Sequence, residues 1–227
     1  LQELKLEDKV FPRAEIEAAG YHAVFIGQKT YNGVAILSPQ PIDEATVVRN
    51  IPGFEDEQKR LIAATIDGVR VVCGYFPNGQ AVGSDKFEYK LKWLAALTDW
   101  LATELKTHER LVLAGDFNIA PEDRDAHPDW KDEIHVSEPE RAAFRALQEL
   151  GLIDSFRLFE QPERVFSWWD YRMLAFRRNF GLRIDHLLVS PALREACRSC
   201  TVDKEPRRLE RPSDHAPVVL ELDTVAG

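Results

Sequence analysis

The chain is poor in sulfur, short of positive charge and free of long apolar runs. Three cysteines and one methionine occur in 227 residues. An odd, small number of cysteines makes no disulfide framework and favours a reducing compartment, read here as cytoplasmic. Cys197-Arg-Ser-Cys200 has the C-x-x-C spacing of a zinc or redox pair. No second pair or neighbouring His completes it, and the ordinary reading is two partly buried free thiols. No run of about eighteen apolar residues appears, so no membrane span is predicted. Lys and Arg number 29 against 38 Asp and Glu, a net charge of −9. That balance argues against indiscriminate nucleic-acid binding, because phosphate contacts come from basic side chains. It leaves room for a local basic face, since arginines are dense from Arg157 to Arg211.

What is present fits one large α/β or α+β domain with a substantial core, at 44% hydrophobic and 30% charged residues. Tyr21 to Gln28 and Asn32 to Ser38 read as strands joined by a tight turn. Arg60 to Ile66 and Val69 to Tyr75 read as a hairpin around the turn dipeptide Asp67-Gly68. Ser84 to Leu105 carries Phe87, Leu91, Leu94, Leu97, Leu101 and Leu105 at helical spacing. A strand is expected over Arg110 to Ala114, then an irregular functional loop from Pro121 to Val136. Ser137-Glu-Pro-Glu140 predicts a capping box opening a helix that stops at Gly151, with strands at Leu182 to Ser190 and Ala216 to Leu222 beyond it. Hairpins and helices interleaved without a βαβ rhythm predict two packed mixed sheets flanked by helices. No internal repeat, low-complexity tract or linker divides the chain, so residues 1–227 are read as a single domain.

Two short stretches carry chemistry. Ser213-Asp214-His215-Ala216 offers a hard carboxylate oxygen for a divalent ion beside an imidazole for a phosphoryl oxygen. Gly115-Asp116-Phe117-Asn118 follows a strand, so Asp116 and Asn118 can project from its end into one cleft. Together they suggest a metal-dependent phosphoesterase, with Asp116 orienting and deprotonating water and Asn118 holding the phosphate or that carboxylate. Glu3 and Asp214 are candidate ligands for Mg²⁺, and Asp185 is a candidate to orient His215. Each residue also has an ordinary reading: Asp116 as a turn or cap, His215 as a packed histidine, Asp185 as the partner of Arg183, and His186 as a surface or packing residue.

Taken in order, Gln2-Glu-Leu-Lys5, Asn32-Gly-Val-Ala-Ile36, Gly74-Tyr-Phe-Pro-Asn78, Gly115-Asp-Phe-Asn118, Phe166-Ser-Trp-Trp-Asp-Tyr-Arg172, Gly181-Leu-Arg-Ile-Asp185 and Ser213-Asp-His-Ala-Pro217 resemble the exonuclease III family of the endonuclease/exonuclease/phosphatase superfamily, which repairs abasic sites in DNA. The resemblance implies a four-layered α/β sandwich with the site at one edge of two facing sheets. It implies that Glu3 and Asp214 bind the metal, that Tyr75 contacts the scissile phosphate, and that Asp116, Asn118, Asp185 and His215 fill the remaining catalytic positions. Asn78, Lys86 and Lys90 are expected on the DNA backbone. Trp168, Trp169 and Arg172 are expected to wedge into a duplex and line a pocket for a baseless sugar, the alternative being two core tryptophans.

Two departures from the family pattern stand out. The family opens with a strand that this chain lacks, and Leu1-Gln2-Glu3 reads like a strand tail without a preceding Met, so an N-terminal strand and helix are expected to be missing. His135 lies near where some relatives carry a small residue, and its ring is expected to shift activity from abasic sites toward 3′ ends, the alternative being an ordinary exposed loop histidine. The expected protein is a monomeric nuclease acting on double-stranded DNA with an abasic site or a 3′ end, using Mg²⁺ or alternatively Mn²⁺. The competing readings are a phosphatase or phosphodiesterase acting on a non-DNA ester and a catalytically impaired DNA-end binder.

Overall fold

The computed structural model describes residues 1–223. A six-stranded sheet forms its centre: β3 (Val48–Arg49), β4 (Leu61–Ile66), β5 (Val69–Tyr75), β6 (Leu111–Asp116), β7 (Ile153–Asp154) and β8 (Asp185–Val189), in the order β3-β4-β5-β6-β8-β7. Only β5 and β6 run parallel, so the sheet is mixed. Its middle strands are apolar on both faces because both faces are covered. Leu61, Ala63, Val72, Leu111, Leu113 and Leu188 meet the helices α2 (Asp85–Thr107) and α3 (Glu138–Glu149) through Trp93, Leu94, Leu97, Leu101, Phe144 and Leu147. Ile62, Ala64 and Cys73, one residue out of phase, meet Val24, Val34 and Ile36 from the hairpin β1 (His22–Ile26) and β2 (Val34–Ser38).

A second hairpin, β9 (Cys197–Val202) and β10 (Val218–Leu222), covers the other half of that face, where Val112 and Val189 meet Cys197, Leu220 and Leu222. The short helix α1 (Arg13–Ala18) lies outside β1, beside a stacked Phe11–Phe25 pair with centroids 3.8 Å apart. Four layers result, as expected. On this side of the central sheet the strands pair as two separate two-stranded antiparallel ladders, β1–β2 and β9–β10. A groove of about 390 Å³ lies along Leu1, Gln2, Leu187 and Val218. Residues 1–5 run beside β2, where Leu1 exchanges both backbone hydrogen bonds with Ala35 and Leu4 N donates to Gly33 O.

The local signals held where they had a mechanism. Asp67 and Gly68 both adopt positive φ in the β4–β5 turn. Ser84 caps α2 by accepting from Phe87 N, and Ser137 and Glu140 form the reciprocal box that opens α3. The strand β9, which carries Cys197 and Cys200, was not anticipated; both thiols are free and buried. No helix among the described residues is long and apolar enough to cross a membrane.

Candidate active site

The pairing of the central sheet sets the site. Tyr75 lies opposite Asp116 across β5 and β6, and Asp116 lies opposite Asp185 across β6 and β8, giving one row of three polar residues at the strand ends. One row further in, Gly74 faces Gly115, whose φ is +148°; a Cβ there would stand 1.8 Å from the Gly74 carbonyl oxygen. The close approach of these two strands therefore depends on glycine.

The loop carrying Asp214 and His215 is fastened over this row by the segment 166–169. Trp169 N donates to Asp214 O at 3.1 Å and Ala216 N to Ser167 O at 2.7 Å. The Ser167 hydroxyl accepts from both Ile184 N and Asp185 N at 3.0 Å. His215 consequently sits between two carboxylates, its Nδ1 2.9 Å from Asp185 Oδ2 and its Nε2 3.7 Å from Asp116 Oδ2. Glu3 completes the wall: ligand atoms of Glu3, Asp116 and His215 lie within 4.8 Å of one another. Gln2, Glu3, Lys5, Asp116, Asp214 and His215 line a cleft of about 230 Å³ together with Tyr171 and Ser213.

The electrostatics follow from this crowding. Burial, joined by the negative charges of Asp185 and Glu3, pushes the Asp116 carboxyl up to about 7, against the opposing pull of His215. Burial works against charge on His215, but Asp185 and Asp116 outweigh it and push the imidazole up to about 10. Burial and then the carboxylates of Glu3 and Asp116 raise the Tyr75 phenol, which stays protonated at neutral pH. Asn118, at φ +51°, donates its backbone N–H to Asp116 Oδ1 at 2.9 Å and its side-chain amide to Phe76 O at 2.9 Å.

Glu3, Tyr75, Asp116, Asn118, Asp185, Asp214 and His215 are thus brought to one end of the sheet. Asp214 shares the cleft, yet its Oδ2 accepts from Trp168 Nε1 at 3.0 Å, and it lies outside the Glu3–Asp116–His215 group. Asn78 and Lys86 are exposed and line a neighbouring groove with Arg60 and Tyr31. Arg172 is exposed and forked onto Asp170 through bonds of 3.0 and 2.7 Å.

Several expectations need correction. Lys90 is fully buried and ion-paired with the equally buried Glu140, so it reaches no DNA phosphate. Trp169 is also fully buried, with its indole N–H bonded to Asn179 Oδ1; a ring locked in the core is no wedge. Trp168 is half-buried and committed to Asp214. Arg183 does not pair with Asp185: it is held by Asp125 and Asp154, and His186 packs against the same network. With Arg183 and Arg207 turned inward, the arginine-dense stretch is only partly a surface. His135 is buried, not an exposed loop residue, and its Nδ1 lies 2.8 Å from Asn118 O. Lys5, 3.0 Å from Glu3, and Tyr171, whose hydroxyl donates to Pro212 O at 2.8 Å, were not singled out as site residues, although both lie inside the sequence motifs quoted above.

The similarities to known proteins agree with this geometry. The Exodeoxyribonuclease III of Haemophilus influenzae is 39% identical over 98% of this chain and 88% of its own length. The Exodeoxyribonuclease of Bacillus subtilis is 32% identical over 97% and 85%. Among solved structures, the 3′ phosphatase NExo from Neisseria bound to a product DNA hairpin is 50% identical, with a TM-score of 0.95 over 98% of this chain and 87% of that one. An AP endonuclease from Archaeoglobus fulgidus is 38% identical, with a TM-score of 0.92 and the same coverage. A family model described as the Endonuclease/Exonuclease/phosphatase family matches residues 1–215, and the chain belongs to that family.

Proposed function

We propose that the chain is a Mg²⁺-dependent DNA repair nuclease that hydrolyses phosphodiesters of double-stranded DNA, as a 3′–5′ exonuclease, an abasic-site endonuclease, or both. The observation that carries this reading is the placement of His215 between Asp185 and Asp116, with Glu3 on the same wall. The relatives named for exodeoxyribonuclease and AP endonuclease activity set the substrate class.

The donor set suits a divalent cation. Glu3 and Asp116 present hard oxygens within 4.8 Å of each other, and the Lys5 ammonium already supplies positive charge 3.0 Å from Glu3. A bound Mg²⁺, held by Glu3 with Asp116 or Asp214, would supply a fixed positive charge against the phosphoryl oxygens. The protein's own groups do the rest. Asp116, its carboxyl poised near neutrality, accepts a proton from the attacking water, while Asn118 fixes the orientation of that carboxylate. His215 stays protonated at neutral pH and donates to a phosphoryl oxygen; Asp185 fixes its ring. Tyr75, as neutral phenol, is a second donor to the phosphate. In-line attack leaves a 3′ hydroxyl and a 5′ phosphate.

The test is a duplex carrying one abasic analogue and a labelled 3′ end, incubated with and without Mg²⁺. Product lengths distinguish incision from trimming, and binding without any EDTA-sensitive cleavage would overturn the reading. A second reading, removal of 3′ phosphate groups, is favoured by the similarity to a 3′ phosphatase and by a buried ring at His135. A 3′-phosphorylated duplex in the same assay measures it.

A further inference from the structure

We infer that Lys90, with Glu140, is a positioning residue that holds the Asn118 loop in its working conformation. The inference rests on the proposed function for its catalytic meaning, but its geometry stands independently. Lys90 lies in the second turn of α2 with no exposed surface, and its ammonium meets one acceptor for each of its three donors: Glu140, Asn118 O at 2.8 Å and Asn78 O at 3.2 Å. Those two carbonyls belong to the loops that follow β5 and β6, the loops bearing the proposed phosphate contact Asn78 and the Asp116–Asn118 pair. Glu140 in turn accepts from His135 N at 3.0 Å and from the Ser137 hydroxyl at 2.6 Å, which ties in the start of α3. One buried ammonium therefore fastens two active-site loops to two helices.

Stability alone does not account for this arrangement. A buried ion pair is often no more stable than apolar residues of equal volume, because desolvating both charges offsets their attraction. What an apolar pair cannot do is hold a carbonyl. Asn118 sits in the left-handed region at φ +51°, a conformation that persists only when its surroundings over-determine it. Its carbonyl oxygen meets two groups from the buried side, Lys90 Nζ and His135 Nδ1, each at 2.8 Å. With that oxygen fixed, the Asn118 backbone N–H is aimed at Asp116 Oδ1.

The decisive variant is Lys90→Met combined with Glu140→Gln. It leaves no uncompensated buried charge, and the single Gln oxygen keeps an acceptor for the backbone N–H and hydroxyl of Ser137, at the expense of the bond from His135 N. The double variant is expected to stay folded with a lowered melting temperature, while kcat on duplex DNA falls roughly 100-fold and KM changes only a few-fold, the scale expected from misplacing a reacting group. The side-chain amide resonance of Asn118 and the ring ¹⁵N resonances of His135 should both shift. Glu140→Gln alone is the second variant, expected to shift the same resonances by less. A double variant with wild-type kcat, or unshifted Asn118 and His135 resonances in either variant, would overturn the inference. Wild-type protein that fails to cleave DNA would instead remove the proposed function, and the resonances would still decide the positioning role.

Discussion

The indole N–H of Trp168 is bonded to Oδ2 of Asp214 at 3.0 Å. A residue expected from sequence to face DNA therefore orients a carboxylate of the cleft. Trp168→Phe keeps an aromatic ring, smaller than the indole, and deletes the donor. A hydrogen bond to a charged group contributes about 1.5–3 kcal/mol, so activity should fall by roughly one to two orders of magnitude. The loss should appear on a small chromogenic phosphodiester as well as on duplex DNA. A loss confined to DNA would assign Trp168 to the DNA surface instead.

The paired shifts of Asp116 and His215 define a pH window. In the proposed mechanism Asp116 acts as a base once deprotonated, above about 7, and His215 acts as a donor while protonated, below about 10. The rate should rise through the first value and fall through the second. Added Mg²⁺ stabilises ionised Asp116, so the acid limb should move to lower pH as the ion concentration rises. Stopped kinetics across pH at two Mg²⁺ concentrations check this, and an acid limb that ignores the ion would contradict it.

Acid should unfold the protein in two stages. Burial, reinforced by the nearby positive charge of Lys90 or Arg183, pushes His135 and His186 down to about 4. The unfolded chain therefore takes up these protons first, and stability declines as pH falls from about 6.5 toward 4, by up to about 3 kcal/mol per histidine. Asp125 and Asp154 are also held low, because the charge and hydrogen bonds of Arg183 outweigh the effect of burial. Their contribution is complete above the ordinary carboxylate value and is lost as pH falls below it through the folded values. Asp116, raised to about 7, takes up a proton in the folded state over the same range and opposes the first decline. The measurement is therefore urea midpoints of the Asp116→Asn variant from pH 7.5 to 3, which should show both declines; a flat profile down to pH 4.5 would count against the histidine assignment.

His135→Gly should raise abasic-site incision relative to removal of 3′ groups, since it empties a ring's volume beside Asn118. The ratio of the two activities is the measurement, because it cancels any general loss from the missing contact. An unchanged ratio would leave His135 a packing residue.

Gly115→Ala should prevent folding or cost several kcal/mol. The new Cβ would stand 1.8 Å from a backbone oxygen that cannot move without separating β5 from β6. Circular dichroism of the variant suffices, and a wild-type melt would show that the strands have more slack than their pairing implies.

Much of this architecture was legible because its signals are local. Asp67-Gly68 and the Ser137–Glu140 box act over four residues or fewer, and both formed as expected. The motifs around Asp116, Asp185 and His215 likewise named residues that meet. Burial and partner choice were not legible, because they depend on what the chain brings from far away. Lys90 looks like any helix-surface lysine until Glu140 arrives from α3, fifty positions on in the chain. Adjacent Trp168 and Trp169 look alike until the segment pairs with Leu182 and His215, leaving one ring in the core and the other against Asp214. β9 escaped because its Arg198 and Ser199 interrupt the apolar alternation.

The site draws Glu3 from one end of the described chain, Asp116 from its middle and His215 from the other. Domains assemble from the N-terminus during synthesis. A ribosome-bound chain that has already folded its first hairpin and its water-activating strand still has no imidazole to offer a phosphate. The proposed chemistry therefore waits on the segment that carries His215: a chain that stops short of it has the carboxylates but not the imidazole between them.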